Sequence, residues 1–184
     1  MIRKIGKENK IGQIWIETVL YTLIGISLIG IVLAFVTPKI TEQKEKLMVD
    51  QTIQALNAFD EKINTVLVAP SNVREINFAM KQGEFHINST EDKVMFVLPG
   101  LTKPYSEPGV SIEVGRINLL TSEHGGDYDV ILSIAYKENI TYNLQETNKK
   151  LDAVAVPYRF SIANEGVLNT DGRNVISIRE LSGL

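Results

Sequence analysis

The pattern of apolar and polar residues divides the chain into an apolar first fifth and a more polar remainder. Residues 18–36 contain no charged side chain. At a rise of about 1.5 Å per residue, a helix over residues 13–36 is roughly 36 Å long, enough to cross a hydrocarbon core of about 30 Å. The pattern therefore predicts a helix over residues 13–36 that either spans a membrane or packs in another apolar environment.

A second helical pattern follows over residues 37–69, where the sequence becomes polar. Its apolar residues recur at spacings of mostly three and four, at Leu47, Val49, Ile53, Leu56, Phe59 and Ile63. This amphipathic stripe is short and has no sustained heptad, so we expect it to pack on the downstream domain rather than in a coiled coil. Pro38 predicts a joint between the two helical segments, either a kink or the start of a second helix.

From residue 70 onwards the apolar residues alternate with a period of two, which is typical of strands. Gln82-Gly83 separates two such runs and predicts a hairpin between them. The alternation changes phase across Gly115-Arg116, which predicts a bulge or bend. Further alternating runs cover residues 128–136 and 154–162, and a last one covers residues 175–178. The fold class is therefore α+β, a long N-terminal helix followed by an antiparallel β-sheet or β-sandwich domain over residues 70–184.

Charge indicates how the apolar segment is oriented in a membrane. Residues 1–12 carry Arg3, Lys4, Lys7 and Lys10 against Glu8. Positive charge beside a span keeps that side in the cytoplasm, so we expect a cytoplasmic N-terminus and an extracytoplasmic C-terminal domain. The chain has no cysteine, so this domain is expected to depend on its core rather than on disulfides.

The start of the apolar segment differs from a secretory signal. The apolar run is longer than such a signal requires, and Thr37-Pro38-Lys39 follows it without a small-residue cleavage pattern. Cleavage after the run is therefore not expected, which leaves processing before it, at Gly12-Gln13.

The run Lys10-Ile-Gly-Gln-Ile-Trp-Ile-Glu17 resembles the class III signal peptide of archaeal type IV pilin-like proteins. The resemblance implies cleavage between Gly12 and Gln13 by a prepilin peptidase, with Glu17 at the fifth mature position. It covers roughly the first 60 residues. Trp15 and Tyr21 stand where the family tends to have serine and leucine.

Glu17 also requires an explanation from physics alone. A lone charge at the bilayer centre costs of order 2.5 to 3.5 kcal/mol, and less near the surface. Cleavage would create an α-amino group on Gln13, and this cation, in the same or an adjacent subunit, is a suitable partner that would set the axial register. The alternative is that Glu17 reaches the cytoplasmic interface of an uncleaved anchor.

The polar residues give little indication of catalysis. His86 and His124 are far apart in sequence, and without cysteine a transition-metal site would need both histidines plus carboxylates. The cluster from Glu123 to Asp129 and the Asp171-Gly172 pair are better explained as turns than as cation sites. No phosphate loop is present, and the acidic body argues against nucleic acid. We expect no catalytic residue, metal or cofactor.

Two N-glycosylation acceptor sequences are present, Asn88-Ser-Thr and Asn139-Ile-Thr. Both lie in the part expected to be extracytoplasmic. They are candidate modification sites.

The sequence leaves two candidate functions open. The resemblance implies a structural subunit of a surface filament, with identical or related pilin subunits, a prepilin peptidase, an assembly ATPase and a membrane platform protein as partners. The alternative is a single-span anchored domain that binds a ligand or an envelope partner, keeps its leader and does not polymerise.

The first prediction concerns processing of the N-terminus. We expect N-terminal sequencing of the protein, purified from cells that contain a prepilin peptidase, to start at Gln13, because the basic leader ends at Gly12. A start at Met1 or Ile2 would contradict the pilin interpretation.

Overall fold

The computed structural model describes residues 8–168 and 172–181, with side chains from residue 14 onwards. It contains one helix, α1 (Glu8–Val66), followed by β-strands. The strands are β1 (Val73–Phe78), β2 (Glu84–Asn88), β3 (Lys93–Leu101), β4 (Ser111–Val114), β5 (Ile117–His124), β6 (Asp127–Ala135), β7 (Asn139–Tyr142), β8 (Lys149–Asp152), β9 (Tyr158–Val167) and β10 (Asn174–Glu180). The predicted α+β class is confirmed.

The strands form two sheets. One has the order β1-β9-β10-β7 and the other the order β4-β5-β6-β3-β2-β8. The pairs are antiparallel except β7 and β10, which run parallel with Asn139 opposite Val175. The β domain is therefore antiparallel as expected, except at this pair. A parallel pair needs a long connection, which β8 and β9 supply here.

The chain divides into two compact units, residues 1–43 and 44–184. The division lies inside α1, so residues 44–66 of the helix belong to the same unit as the sheets. The boundaries that the sequence predicts at residues 12, 36 and 69 stay predictions. Residues 1–7 of the leader lie outside the described residues.

Helix α1 continues through Pro38. The predicted alternative of a second helix that starts at Pro38 is therefore wrong. Proline has no N–H, and the carbonyl four residues earlier loses its usual partner. Beside this position, the Thr37 hydroxyl donates to the Leu33 carbonyl at 2.8 Å.

One face of residues 44–66 is buried against the sheets. Its fully buried apolar residues recur at helical spacing, at Val49, Leu56, Phe59, Ile63 and Val66. Leu47 was predicted in this stripe, but it is 56% exposed. It lies two positions before Val49, on a different face of the helix. The expectation that the stripe packs on the β domain is otherwise confirmed.

Phe59 contacts aromatic rings from both sheets. Its ring centroid lies 5.7 Å from that of Phe78 in β1 and 6.0 Å from that of Phe160 in β9. It also lies 5.2 Å from the ring of Phe85 in β2, which belongs to the other sheet. All three contacts are edge-to-face arrangements, which aromatic pairs prefer. The helix and the two sheets therefore share one core.

The hairpin predicted at Gln82-Gly83 is wrong. β1 pairs with β9, whereas β2 pairs with β3 and β8, so the chain changes sheet between β1 and β2. Gly83 has φ of 88°, and a Cβ there would lie 2.5 Å from the Val97 carbonyl oxygen. Glycine is needed for this close backbone approach, rather than for a two-residue turn.

Two other turn predictions agree with the strand pairing. Gly115-Arg116 connects β4 and β5 directly, with Val114 opposite Ile117, so the predicted bend is a two-residue hairpin turn. Gly115 has φ of 64°, as expected for glycine at the first position of a type II′ turn. β9 and β10 are antiparallel neighbours, while Asn169, Thr170 and Asp171 lie outside the described residues.

The alternation predicted over residues 154–162 begins later than expected. β9 starts at Tyr158, while Val154 and Val156 are 45% and 74% exposed. Pro157 separates these valines from the strand, and proline cannot donate to a sheet ladder.

The second prediction tests the shared core. We expect Phe59→Ala to lower the free energy of unfolding by about 3 to 5 kcal/mol, because it leaves a cavity among three aromatic rings. The measurement is chemical denaturation of the detergent-solubilised chain, followed by tyrosine fluorescence. The exposed Asn57 lies on the same helix, and Asn57→Ala is expected to change stability by less than about 0.5 kcal/mol. Equal effects of the two variants would contradict this account of the core.

Candidate functional site: the apolar helix

The residues predicted for processing lie at the start of α1. Gly12 and Gln13 are within the helix, and the Gln13 side chain lies outside the described part of the chain. Glu17 is in the same helix and is exposed. Glu17 is four positions after Gln13, so the two residues occupy the same helix face about 6 Å apart along the axis. This spacing is compatible with a pair formed by an amine on residue 13 and the Glu17 carboxylate.

The segment after Glu17 is apolar and uncovered. One helix in the described part of the chain, Ile14–Val66, is long and apolar enough to cross a membrane, and none of its most apolar window is buried. Large side chains stand out from it, including Trp15, Tyr21 and Phe35, which are 70%, 71% and 75% exposed. Such an area of apolar surface is unfavourable in water and favourable in lipid or against other apolar helices.

The threonine and serine hydroxyls between Glu17 and Val36 hydrogen-bond within the helix. Thr18, Thr22 and Ser27 each donate to the carbonyl four residues earlier, at 2.8 to 2.9 Å. A hydroxyl without a partner is costly in hydrocarbon, and these bonds satisfy the donors without water. These three hydroxyls are therefore suited to an apolar environment.

Carboxylates on residues 44–66 hold the helix to the loop after β3. The Glu45 carboxylate accepts from the Thr102 backbone N–H at 3.1 Å and from its hydroxyl at 2.9 Å. The Tyr105 hydroxyl donates to Asp50 at 2.8 Å. These bonds attach the loop along two turns of the helix.

A charged cluster holds the second half of this helix to the β4–β5 turn. Arg116 donates to both Asp60 oxygens, at 2.9 and 3.1 Å, and to the Asn64 side-chain oxygen at 3.1 Å. The Asp60 side chain is only 10% exposed. The Arg116 guanidinium also lies 5.4 Å from the centre of the Tyr136 ring. Removing Arg116 would leave a buried carboxylate without its cation, which is strongly unfavourable.

Asn164 closes the end of α1. Its amide donates to the Val66 carbonyl at 3.1 Å and to the Ala69 carbonyl at 3.3 Å, and its oxygen accepts from the Gly166 N–H at 2.9 Å. Carbonyls in the last turn of a helix have no partner inside the helix, and a buried one needs a donor. The sequence contained a signal for this role, since Asn164 follows Phe160 and Ile162 on the inward face of an alternating strand.

The other candidate residues do not form a chemical centre. His86 is half-buried in β2 and contacts Glu84 at 3.2 Å, whereas His124 is at the end of β5, and β6 and β3 lie between the two strands. Lys150 bonds to Glu84 and lowers the pKa of that carboxyl below its usual value. His124 pairs opposite Asp127 across the Gly125-Gly126 turn, so the cluster from Glu123 to Asp129 is a turn as predicted. Across the residues that the structure describes, no three metal-ligating side chains come together.

Two neighbouring cavities lie at the end of the β domain where the loops before β2 and β9 meet. One, of about 180 Å³, lies between Met48, Thr52 and residues 79–82. The other, of about 440 Å³, lies between residues 79–81 and residues 153–157. Their linings are mainly apolar, and Lys81 is the titratable residue that lines both. Neither has the convergent polar groups of a catalytic site.

Comparisons of the chain with protein-family models, curated proteins and solved structures found no match.

The third prediction follows from the cluster around Asp60. Burial raises the pKa of Tyr136, and the nearby Asp60 charge raises it further. In the unfolded chain this hydroxyl titrates near pH 10, so above that pH unfolding releases a proton. Tyr136 therefore contributes stability that is complete below about pH 10 and is lost as the pH rises, by about 1.4 kcal/mol per pH unit.

The measurement compares urea denaturation midpoints of the wild type and Tyr136→Phe at about pH 9 and about pH 11. The other tyrosines are common to both proteins, so their contributions cancel in the difference. We expect the stability of the variant to fall less steeply with pH. Parallel stability curves would contradict a protonated Tyr136 in the folded state.

Proposed function

We propose that the protein is a structural subunit of an archaeal type IV pilus-like surface filament, which assembles through the N-terminal apolar helix after leader cleavage. The observation that carries the proposal is the segment from Ile14 to Val36. It is an apolar helix without a buried residue that begins beside a Gly-Gln sequence and contains one carboxylate. A β domain with its own core follows it along the chain.

The apolar side chains of this segment must be shielded from water both before and after filament assembly. In the membrane, lipid covers it, with the basic leader on the cytoplasmic side. In a filament, the same side chains pack against the helices of other copies. Lipid is as apolar as these side chains, so this exchange depends on helix packing and polar pairing rather than on hydrophobic burial.

Glu17 supplies the polar pairing in this proposal. Its carboxylate is exposed on the chain itself, one turn from residue 13. After cleavage, the new amine of one copy pairs with Glu17 of the same or the next copy. Because a charge in a water-poor bundle is costly without its partner, neighbouring helices favour the one axial register that forms the pair.

The β domain has a structural rather than a catalytic role in this proposal. Several of its charged residues are engaged in helix anchors or in ion pairs between strands, such as Arg116 with Asp60 at 2.9 Å and Arg179 with Glu165 at 2.7 Å. The partners are further pilin subunits, a prepilin peptidase, an assembly ATPase and a membrane platform protein. The β domain decorates the filament surface and meets the cell's surroundings.

A single-span anchored domain is the second candidate. The observation that favours it is that residues 44–184 contain a complete core, with Phe59, Phe85 and Phe160 in contact. Such a domain does not need other copies in order to fold. It would keep its leader and remain in the membrane.

The fourth prediction separates the two candidates at Glu17. We expect Glu17→Ala and Glu17→Gln to retain leader cleavage and membrane insertion but to abolish filaments. An ion pair that contributes about 1.4 kcal/mol changes the equilibrium constant of each subunit addition about tenfold. Filaments are counted by electron microscopy of the cell surface, and cleavage is measured by mass spectrometry of the N-terminal peptide.

Glu61→Ala is the matched control, since Glu61 is an exposed carboxylate of the same helix outside the apolar segment. The control should assemble normally. Unchanged filaments in both Glu17 variants would remove the proposed role of Glu17. Absence of filaments from the wild type, together with a retained leader, would favour the anchored domain.

A further inference from the structure

The two N-glycosylation acceptor sequences lie close together in the folded β domain. Asn88 ends β2, and residues 89–92 turn the chain into β3. Asn139 begins β7, and the next residue, Ile140, donates its N–H to the Asp92 carboxylate at 3.0 Å. The turn after Asn88 therefore contacts the start of β7. The two acceptor sequences therefore lie in the same region of the β domain.

The sequence at Asn139 is inside the fold. Asn139 and Thr141 are each 4% exposed, and Ile140 between them is fully buried. The Thr141 hydroxyl donates to the Ile176 carbonyl at 3.2 Å, within the β7–β10 pair. A glycan on Asn139 would need space that the sheet occupies, so it is incompatible with this pairing.

The sequence at Asn88 is more accessible, with only its middle residue, Ser89, buried at 6% exposure. Asn88 is half-buried, and Thr90, two residues later, is exposed. The side-chain oxygen of Asn88 accepts from the Glu91 backbone N–H at 3.0 Å. This bond uses the oxygen and leaves the amide nitrogen, the atom to which a glycan is attached, outside it. Glu91 is exposed beside it.

We propose that Asn88 is an N-glycosylation site of the folded protein and that Asn139 is not. The proposal rests on the extracytoplasmic location given by the proposed function. The co-substrate is a glycan activated as a lipid-linked phosphate or diphosphate. The Asn88 nitrogen forms a bond to the anomeric carbon of the sugar, and the bond from that carbon to the phosphate oxygen breaks. The phosphate keeps the electron pair, and a base of the transferase takes one proton from the nitrogen.

Thr90 is the second part of this site. An acceptor sequence requires a hydroxyl two residues after the asparagine. The Thr90 hydroxyl makes one long contact, 3.4 Å to the Asn148 side-chain oxygen, and is accessible. The corresponding Thr141 hydroxyl is enclosed in the sheet. The two sequences therefore differ in both of the groups that a transferase must reach.

The fifth prediction is the glycan distribution in the full-length chain expressed in an N-glycosylating archaeal host. We expect mass spectrometry of the peptides to find a glycan on Asn88 and none on Asn139. Asn88→Gln and Thr90→Ala should each remove the mass of one glycan. Thr90 is exposed, so Thr90→Ala is the variant expected to leave the fold intact if Asn88→Gln does not.

The control variant is Gln145→Asn, which creates an acceptor sequence with Glu146 and Thr147 in an exposed turn of the same domain. A glycan at position 145 with a bare Asn88 would overturn this proposal but would support the extracytoplasmic location. Bare asparagines at both positions would overturn the proposal together with that location. A glycan on Asn139 of the folded protein would also overturn it.

Discussion

The packing of one helix face between two sheets is the interaction on which the β domain depends. Phe59 is the helix residue that contacts both sheets through its ring, which meets rings from β1, β2 and β9. The two sheets do not share a hydrogen-bonded strand. Their association therefore depends on side chains, and the helix fills the space that the sheets enclose. Hydrogen bonds fix the position of the helix between the sheets. They involve Glu45, Asp50, Asp60 and the carbonyl of Val66 at the end of the helix.

The pattern of apolar residues predicted the helix, most strands and their period, because these depend on neighbours in sequence. It did not predict the pairing of β1 with β9 or of β7 with β10, which joins segments far apart in the chain. Gly83 shows why. A glycine between two apolar runs is typical of a hairpin, and only the position of the Val97 carbonyl shows that its role is a close approach between strands.

The sequence predicted the apolar segment of the candidate site, but not most of the contacts that hold residues 44–66 to the β domain. The apolar segment and its single carboxylate are local features, and the exposed helix agrees with them. The sequence did not predict the residues that hold residues 44–66 in place. Arg116, for example, lies in a turn, and nothing in the turn sequence indicates that it bonds to Asp60 in the helix. Asn164 is different, because its place on the inward face of β9 already required hydrogen-bond partners.

The parallel pairing of β7 with β10 has a consequence for the order of folding. β7 lies at one edge of its sheet, and its strand partner is β10, whose residues follow about 35 positions later. Contacts between distant segments form slowly, because a long loop must close first. When the chain emerges in order from its N-terminus, β7 stays without its strand partner until β10 arrives. The four-stranded sheet is therefore completed late, after the helix that fills the core is already available.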